Sequence, residues 1–273
     1  SISDAFVSAA KECIRKLGDG FNVQAISCAV PATVDVDTGV ILRAPNLPEL
    51  DEFHMSSILE ERMGISAVLE NDANAAALGE NWLGASKGIP NSIMVTLGTG
   101  VGGGLIIDGK ILRGIDGTAG EIGHICVEPN GIECGCTSHG CIEQYASATA
   151  VVRMVKILGK RSGADHIANN RELTSKDVFD LAQAGDNIAL EVFKRQGYYL
   201  GIMLGGLVNS LNPEVIVIGG GASAAWDLFI GALRDQIAIR AYRRPAERAK
   251  LVPAELGDDA GILGAAYLGF ETT

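Results

Sequence analysis

His124, Cys134, Cys136 and Cys141 gather one imidazole and three thiols into a single short stretch. One nitrogen and three sulfurs make up the donor set of a structural zinc ion, which binds four such ligands tetrahedrally and keeps no open position for substrate. The expectation is therefore a metal that shapes a loop and performs no chemistry. Cys126, two residues beyond His124, would share its face in an extended segment, yet four ligands are complete without it, and His139 reads as a solvated side chain. Cys13 and Cys28 stand apart, so the cysteine pattern favours metal ligation in a reducing compartment over a disulfide framework.

A second chemical feature is the run Gly98-Thr99-Gly100-Val101-Gly102-Gly103-Gly104 between the apolar stretches Ile93–Leu97 and Leu105–Ile107. A dinucleotide fingerprint must open a helix after its strand. Here a strand follows, and Asp108-Gly109 then supplies a two-residue turn into Ile111-Leu112. No Gly-Lys-Ser/Thr ending of a Walker loop occurs. What remains is a hairpin turn whose glycines, Gly98, Gly100 and Gly102 among them, let backbone N–H groups approach phosphate oxygens, with Thr99 adding a hydroxyl; a merely tight turn is the alternative. Further glycine runs at Gly219-Gly220-Gly221 and Gly257–Gly264 would admit a base and ribose, which makes ATP the expected ligand.

The carboxylates form the third feature. Asp72 sits between Asn71 and Asn74 at a strand-to-helix junction, where it can accept a hydroxyl proton or simply cap the helix. Glu121 precedes His124 by three residues and Glu143 follows Cys141 by two. A metal loop would hold both in place, as acceptors for sugar hydroxyls or as solvated side chains.

The elements that must carry these groups can be read in order. Ser3 can cap a helix with apolar residues Phe6, Ala9, Ala10, Cys13, Ile14 and Leu17, ended by Gly18. Val23–Val30 reads as a strand broken by Pro31, and Asp37-Thr38-Gly39 turns into Val40–Leu42 and a loop over Ala44–Pro48. Met55–Met63 reads as a helix stopped by Gly64, Ala67–Leu69 as a short strand, and an Ala-rich helix then runs through Leu78. Open α/β folds place ligands at such strand ends. Beyond the hairpin, Ala148–Leu211 is mostly helical, Glu214–Ile218 is a buried strand, and Gly257–Leu268 leads into a last helix.

Composition sets the outer limits. The 273 residues exceed the ~250 at which single cores begin to split, so two lobes around a cleft are expected. The formal charge of −11 and a pI near 4.8 disfavour non-specific binding to nucleic acid or anionic lipid. Gln196–Pro213 is uncharged but interrupted by Asn209, Ser210 and Asn212, short of the ~20 apolar residues of a membrane span, and reads as a buried helix. The N-terminal residues lack the basic start and apolar run of a signal peptide, so a cytoplasmic home is the default. Arg240, Arg243, Arg244, Arg248 and Lys250 read as a solvated helix end, with partner contact as the alternative.

Glu70-Asn71-Asp72-Ala73-Asn74, the glycine run from Leu97 to Gly104, Gly120-Glu121-Ile122-Gly123-His124, Cys134-Gly135-Cys136 and Gly140-Cys141-Ile142-Glu143 together resemble the ROK family (repressor, open reading frame, kinase), above all its bacterial glucokinases. The resemblance spans essentially the whole chain. It implies an α/β, actin-like (ribonuclease H-like), two-lobed ATPase fold with a zinc-stabilised loop, with sugar and ATP in the cleft. One lobe would take residues 1–92 plus a returning helix at about 259–273, and the other residues 93–258 with the metal loop. The resemblance implies Asp72 as catalytic base, with Asn46, Asn71, Glu121, His124 and Glu143 on the sugar and Mg²⁺ on the phosphates. His124 would hold zinc with one ring nitrogen and meet the sugar with the other. It also implies a homodimer or homotetramer, in which Gly201 and Gly205 would allow close helix packing within or between subunits.

The chain departs from the family pattern in two places. Val30-Pro31-Ala32-Thr33 stands where a Gly-rich Pro-Gly turn is usual, and no Asp-x-Gly-Gly-Thr phosphate loop occurs. The expectation is that the N-terminal strands are missing, which would leave an unpaired sheet edge. The reaction expected is ATP-dependent phosphorylation of a hexose, glucose at its 6-hydroxyl. N-acetylmannosamine or fructose would be alternative substrates, and a sugar-sensing regulator or an inactive sugar-binding fragment the alternative functions.

Overall fold

The computed structural model describes residues 2–18 and 20–271. Residue 1 of the expected first lobe and residues 272–273 of the expected last helix lie outside them. The chain divides into two compact units. One contains the chain up to Gly88, Gly104–Gly120 and the stretch from Leu256 on; the other contains Ile89–Gly103 and Glu121–Glu255.

In the first unit, α1 (Ile2–Leu17) begins one residue ahead of the expected cap Ser3 and ends before Gly18, whose N–H bonds Arg15 O. The strand β1 (Ala25–Val30) starts two residues later than expected and pairs in parallel with β4 (Ser66–Asn71), in register from Ala25↔Ser66 to Val30↔Asn71. These two strands form a sheet of their own. Between them lie β2 (Thr33–Asp35), not expected from sequence, its antiparallel partner β3 (Val40–Arg43), and α2 (Met55–Met63), which Gly64 closes in the left-handed conformation as expected. Val34, Ile41, Met55, Leu59 and Leu69 form the core.

From β4 the chain enters α3 (Asp72–Leu83), against which α11 (Ala260–Glu271) packs so closely that only glycine fits at the crossing. A Cβ on Gly264 would lie 1.7 Å from Ala75 O, and one on Gly79 would lie 2.1 Å from Ala260 O. Residues 104–120, assigned from sequence to the other lobe, group with this unit. The reason is close backbone approach: a Cβ on Gly104 would fall 2.8 Å from Ala73 O, and one on Gly117 would fall 2.3 Å from Val34 O. The unit boundaries thus fall at 88/89 and 255/256 in place of 92/93 and 258/259.

The second unit is built on β5 (Ser92–Leu97), β8 (Val215–Gly219) and β9 (Lys250–Pro253), paired in parallel in the order β5-β8-β9. The strands β5 and β8 are buried almost throughout, as continuous apolar runs in a covered parallel sheet should be. On the far side of β5 lies β6 (Val101–Ile107), which runs on into the first unit and pairs there with β7 (Lys110–Ile111).

The helical stretch after residue 147 is four helices: α5 (Ala148–Ser162), α6 (Asp165–Ala168), α7 (Ser175–Gln183) and α8 (Asn187–Leu211). Left-handed Gly163 ends the first, a Thr174/Asp177 capping box opens the third, and Asp186 caps the fourth. Helix α9 (Trp226–Arg240) lies along α8. A Cβ on Gly201 would sit 2.5 Å from Leu233 O and one on Gly205 would sit 3.1 Å from Arg240 Cβ, so this glycine pair serves packing inside the chain. Among the described residues no helix is long and apolar enough to cross a membrane. In the basic stretch, exposed Arg243 on α10 (Arg243–Arg248) pairs with Glu247, and Arg240 bonds Gln236 and lies over the Tyr198 ring.

Candidate functional site

At the end of β4 the chain turns from strand to helix, and Asn71, not Asp72, makes the turn stable. The Asn71 Oδ1 accepts the N–H groups of Ala73 (2.9 Å) and Asn74 (3.1 Å) as the helix cap, and its Nδ2 donates to Ala32 O (3.2 Å). What it can still offer a ligand is its second amide hydrogen. Asp72 occupies the first helical position, accepts from Ala73 N–H at 2.9 Å, and keeps its side chain open to solvent. Nearby protein displaces enough water to push its carboxyl above the ordinary aspartate value, against the opposing pull of the Ala73 N–H.

Beneath this turn lies Glu70, 2% exposed. Its Oε2 takes Nε (2.9 Å) and Nη2 (2.7 Å) of Arg113, and its Oε1 accepts Asn71 N–H and Asn74 Nδ2, each at 3.0 Å. A buried carboxylate with these four donors is a rigid floor under Asn71 and Asp72. Sequence reading missed both members of the pair. Glu70 carries a signal in hindsight, a charge closing an apolar strand, but Arg113 lies 43 residues away with none. Asn46 lies exposed in the turn after β3.

In the second unit the glycine turn is tied to the metal loop. Gly98 N–H bonds Gly100 O at 3.0 Å, and the carbonyls of Gly98 and Thr99 accept from Ala148 N–H and the Thr149 hydroxyl. Glu143, first residue of the short helix α4 (Glu143–Ala146), lays its carboxylate over the turn and accepts Val101 N–H at 3.2 Å. A Cβ on Gly100 would fall 2.3 Å from Glu143 Oε2, while one on Gly98 would meet nothing within 4 Å. Gly100 is thus glycine to seat Glu143, and Gly98 and exposed Thr99 keep the open face of the turn. Gly123 is explained in the same way, since its Cβ would lie 2.1 Å from Val101 O.

Glu121 precedes the short 3₁₀ turn Ile122–His124 and His124 ends it, and both are exposed. The two ring nitrogens of His124 face different ways: Nδ1 lies 3.6 Å from Cys134 Sγ, Nε2 lies 3.9 Å from Glu121 Oε2. The ligand atoms of His124, Cys134, Cys136 and Cys141 all lie within 4.8 Å of one another, and Cys136 Sγ is 3.6 Å from Cys141 Sγ. A tetrahedral zinc ion, with bonds of about 2.3 Å to sulfur and 2.0 Å to nitrogen, separates its ligand atoms by about 3.5–3.8 Å. The donor set fits. With thiols alone, burial pushes Cys141 up to about 12, so a cation is what would let this cluster hold thiolates.

The loop is pinned from α4. Tyr145 Oη accepts Ile132 N–H at 3.0 Å, Gln144 Nε2 reaches Cys134 Sγ at 3.8 Å, and Arg153 bonds Gln144 in turn. His139 is exposed, as expected, and all six cysteines are free.

Of the glycines after β8, Gly219 would crowd Met94 and Ala254 if it carried a Cβ, and Gly220 (φ 83°) lies against the Leu97 backbone. Gly221 faces open space and lines a cavity of about 80 Å³ with Val151, Phe179, Phe193 and Ala225, rimmed by Ser175 and Lys176.

Comparison with known proteins places this arrangement in context. The profile of the ROK family matches residues 1–271. A glucokinase of Halalkalibacterium halodurans is 42% identical over 248 residues, covering 89% of this chain and 75% of that protein. One from Thermotoga maritima is 36% identical over 94% of this chain and 82% of its own. Among solved structures, a ROK family glucokinase from Streptomyces griseus in complex with glucose and AMPPNP superposes with a TM-score of 0.82 at 34% identity, covering 98% of this chain and 88% of that one. A ROK family transcriptional regulator, homologous to the E. coli MLC protein, gives a TM-score of 0.90 at 27% identity over 98% of this chain and 68% of that one.

Proposed function

We propose that this chain, which belongs to the ROK family, is an ATP-dependent sugar kinase acting on a hexose, glucose in first place, at its 6-hydroxyl. The observation that carries the reading is the Asn71-capped junction, which fixes Asp72 at the start of α3 with a solvent-facing carboxyl raised above its ordinary value. A carboxylate of raised pKa is a better proton acceptor than an ordinary one. Asp72 takes the proton of the sugar hydroxyl as its oxygen attacks the γ-phosphate in line, and catalysis otherwise rests on positioning and charge stabilisation.

The other hydroxyls of the sugar fall to Asn46, the second amide hydrogen of Asn71, Glu121, His124 Nε2 and Glu143. Glu143 accepts with the oxygen that Val101 N–H does not occupy. The glycine turn from Gly98 to Gly104 receives the phosphates, with the open face of Gly98 and the Thr99 hydroxyl nearest to them. The apolar cavity beside Gly221 takes an edge of the base. His124, Cys134, Cys136 and Cys141 would hold zinc and so fix Glu121 and Glu143. Mg²⁺ would supply the charge that neutralises the phosphates when bound.

A sugar-sensing regulator is the second reading, favoured by the TM-score of 0.90 to the ROK regulator and by 30% identity to the xylose repressor of Bacillus subtilis over 88% of this chain and 59% of that protein. The test is ADP release from Mg-ATP with glucose, mannose, fructose, N-acetylglucosamine and N-acetylmannosamine, with sugar binding by calorimetry on the same sample. Turnover with one sugar is expected. Binding without turnover would shift the function to a sensor or an inactive sugar-binding fragment.

A further inference from the structure

Cys126 is absent from the four mutually close ligand atoms, yet it is placed directly opposite one of them. Val127 N–H bonds Gly140 O at 2.8 Å and Ile142 N–H bonds Ile125 O at 2.9 Å, so Cys126 and Cys141 form an isolated antiparallel bridge flanked by these bonds. That is the non-hydrogen-bonded type of antiparallel pair, in which both side chains project from one face and the Cα atoms stand about 4.5 Å apart. The separation lies within the ~4.4–6.8 Å that a disulfide spans. Cys126 is exposed, whereas Cys141 is fully buried.

From this juxtaposition we infer that Cys126 is a modification site for hydroperoxides, and that it passes its oxidation to Cys141 as a disulfide that expels the metal. Because the ligand set is complete without it, Cys126 remains a metal-free thiol in the loaded loop, reachable from solvent. Its sulfur attacks the peroxide O–O bond and becomes a sulfenic acid, while the other oxygen leaves as an alcohol or water carrying a proton. The Cys141 thiolate, released from the metal, then displaces the sulfenic oxygen, which takes a proton from solvent and departs as water. One thiol and one thiolate lose two electrons to one peroxide. The metal is left with three ligands, and one of them, Cys136, loses its sulfur neighbour at 3.6 Å. A Cys136–Cys141 disulfide is the competing product, but it requires both sulfurs to leave the metal first.

The consequence for sugar binding, loosening of Glu121 and Glu143, rests on the sugar-kinase reading; the chemistry at Cys126 does not. The experiment titrates zinc-reconstituted full chain with hydrogen peroxide, follows zinc release with a chromogenic chelator, and maps disulfides by peptide mass spectrometry. Expected is a Cys126–Cys141 linkage with one zinc lost per disulfide, retention of zinc by Cys126→Ser at the same dose, and wild-type loss from Cys13→Ser. A Cys136–Cys141 linkage, zinc loss from Cys126→Ser at the wild-type rate, or a reduced protein that holds no zinc would each overturn the inference. Glucose calorimetry before and after oxidation reads the sugar assignment separately: a reduced protein that never binds sugar removes that assignment and leaves the disulfide chemistry standing.

Discussion

The junction at residues 70–74 and the loop at 121–143 each fix carboxylates in place, but by different means. At the junction the backbone suffices: one asparagine caps α3, and a buried ion pair lies beneath. In the loop, regular structure is nearly absent, and Glu121 and Glu143 depend on contacts distant in sequence, with Val101 against Gly123 and Glu143, and Tyr145 against Ile132. A helix terminus orients a side chain through donors it must satisfy in any case. A loop has no such donors and requires cross-links, which the Cys₃His cluster can supply.

Metal removal should therefore separate the two regions more sharply than any substitution. Chelation is expected to abolish sugar binding and to expose amides over 121–142 to hydrogen exchange while those of 66–83 stay protected; structural zinc contributes up to about 10–16 kcal/mol to small folds. Equal loss of protection in both regions would show that the junction leans on the loop. Asp72→Asn tests the other side of the comparison. Turnover should fall by about 10²–10⁴-fold with the sugar dissociation constant preserved.

The same variant carries a pH signature. A carboxyl whose folded pKa lies above its unfolded value stabilises fully below the unfolded value, and that stabilisation is lost as pH rises through the folded value. Ionised Asp72 thus costs stability at neutral pH, and Asp72→Asn should melt at the wild-type temperature or higher. A lower melting temperature would make Asp72 a structural cap. Arg113→Met is the converse case, because it leaves the Glu70 carboxylate buried and unpaired. It should cost about 3–5 kcal/mol in urea unfolding, and Glu70→Gln combined with it should recover part of that loss.

Much of this was legible in the sequence where the determinants are local. Gly64 announces the end of α2, the apolar runs give β5 and β8, and the cysteine spacing gives the ligand cluster. What was hidden depends on residues far apart. Asn71 and Asp72 are equally good caps by type, and only the fold decides between them. Arg113 carries no local mark of the buried carboxylate it neutralises, and Gly201 cannot reveal that its neighbour is α9 of its own chain. Strand β2 escaped because Pro31 masks a three-residue strand whose partner lies across a turn.

The smallest expected effect is the most informative about the glycine turn, which sequence alone reads as one phosphate cradle. The geometry divides it: Gly100 is filled by Glu143 and Gly98 is open. Gly100→Ala must displace the Glu143 carboxylate, at a cost of about 1–3 kcal/mol for an overpacked contact, and that displacement should appear as weaker sugar binding with ATP affinity unchanged. Gly98→Ala meets no protein atom, so stability should hold within about 0.5 kcal/mol, and weaker binding should appear for ATP alone. If both substitutions weaken ATP equally and leave the sugar untouched, the turn is a single phosphate site after all, and Glu143 belongs to the architecture of the loop and not to the sugar.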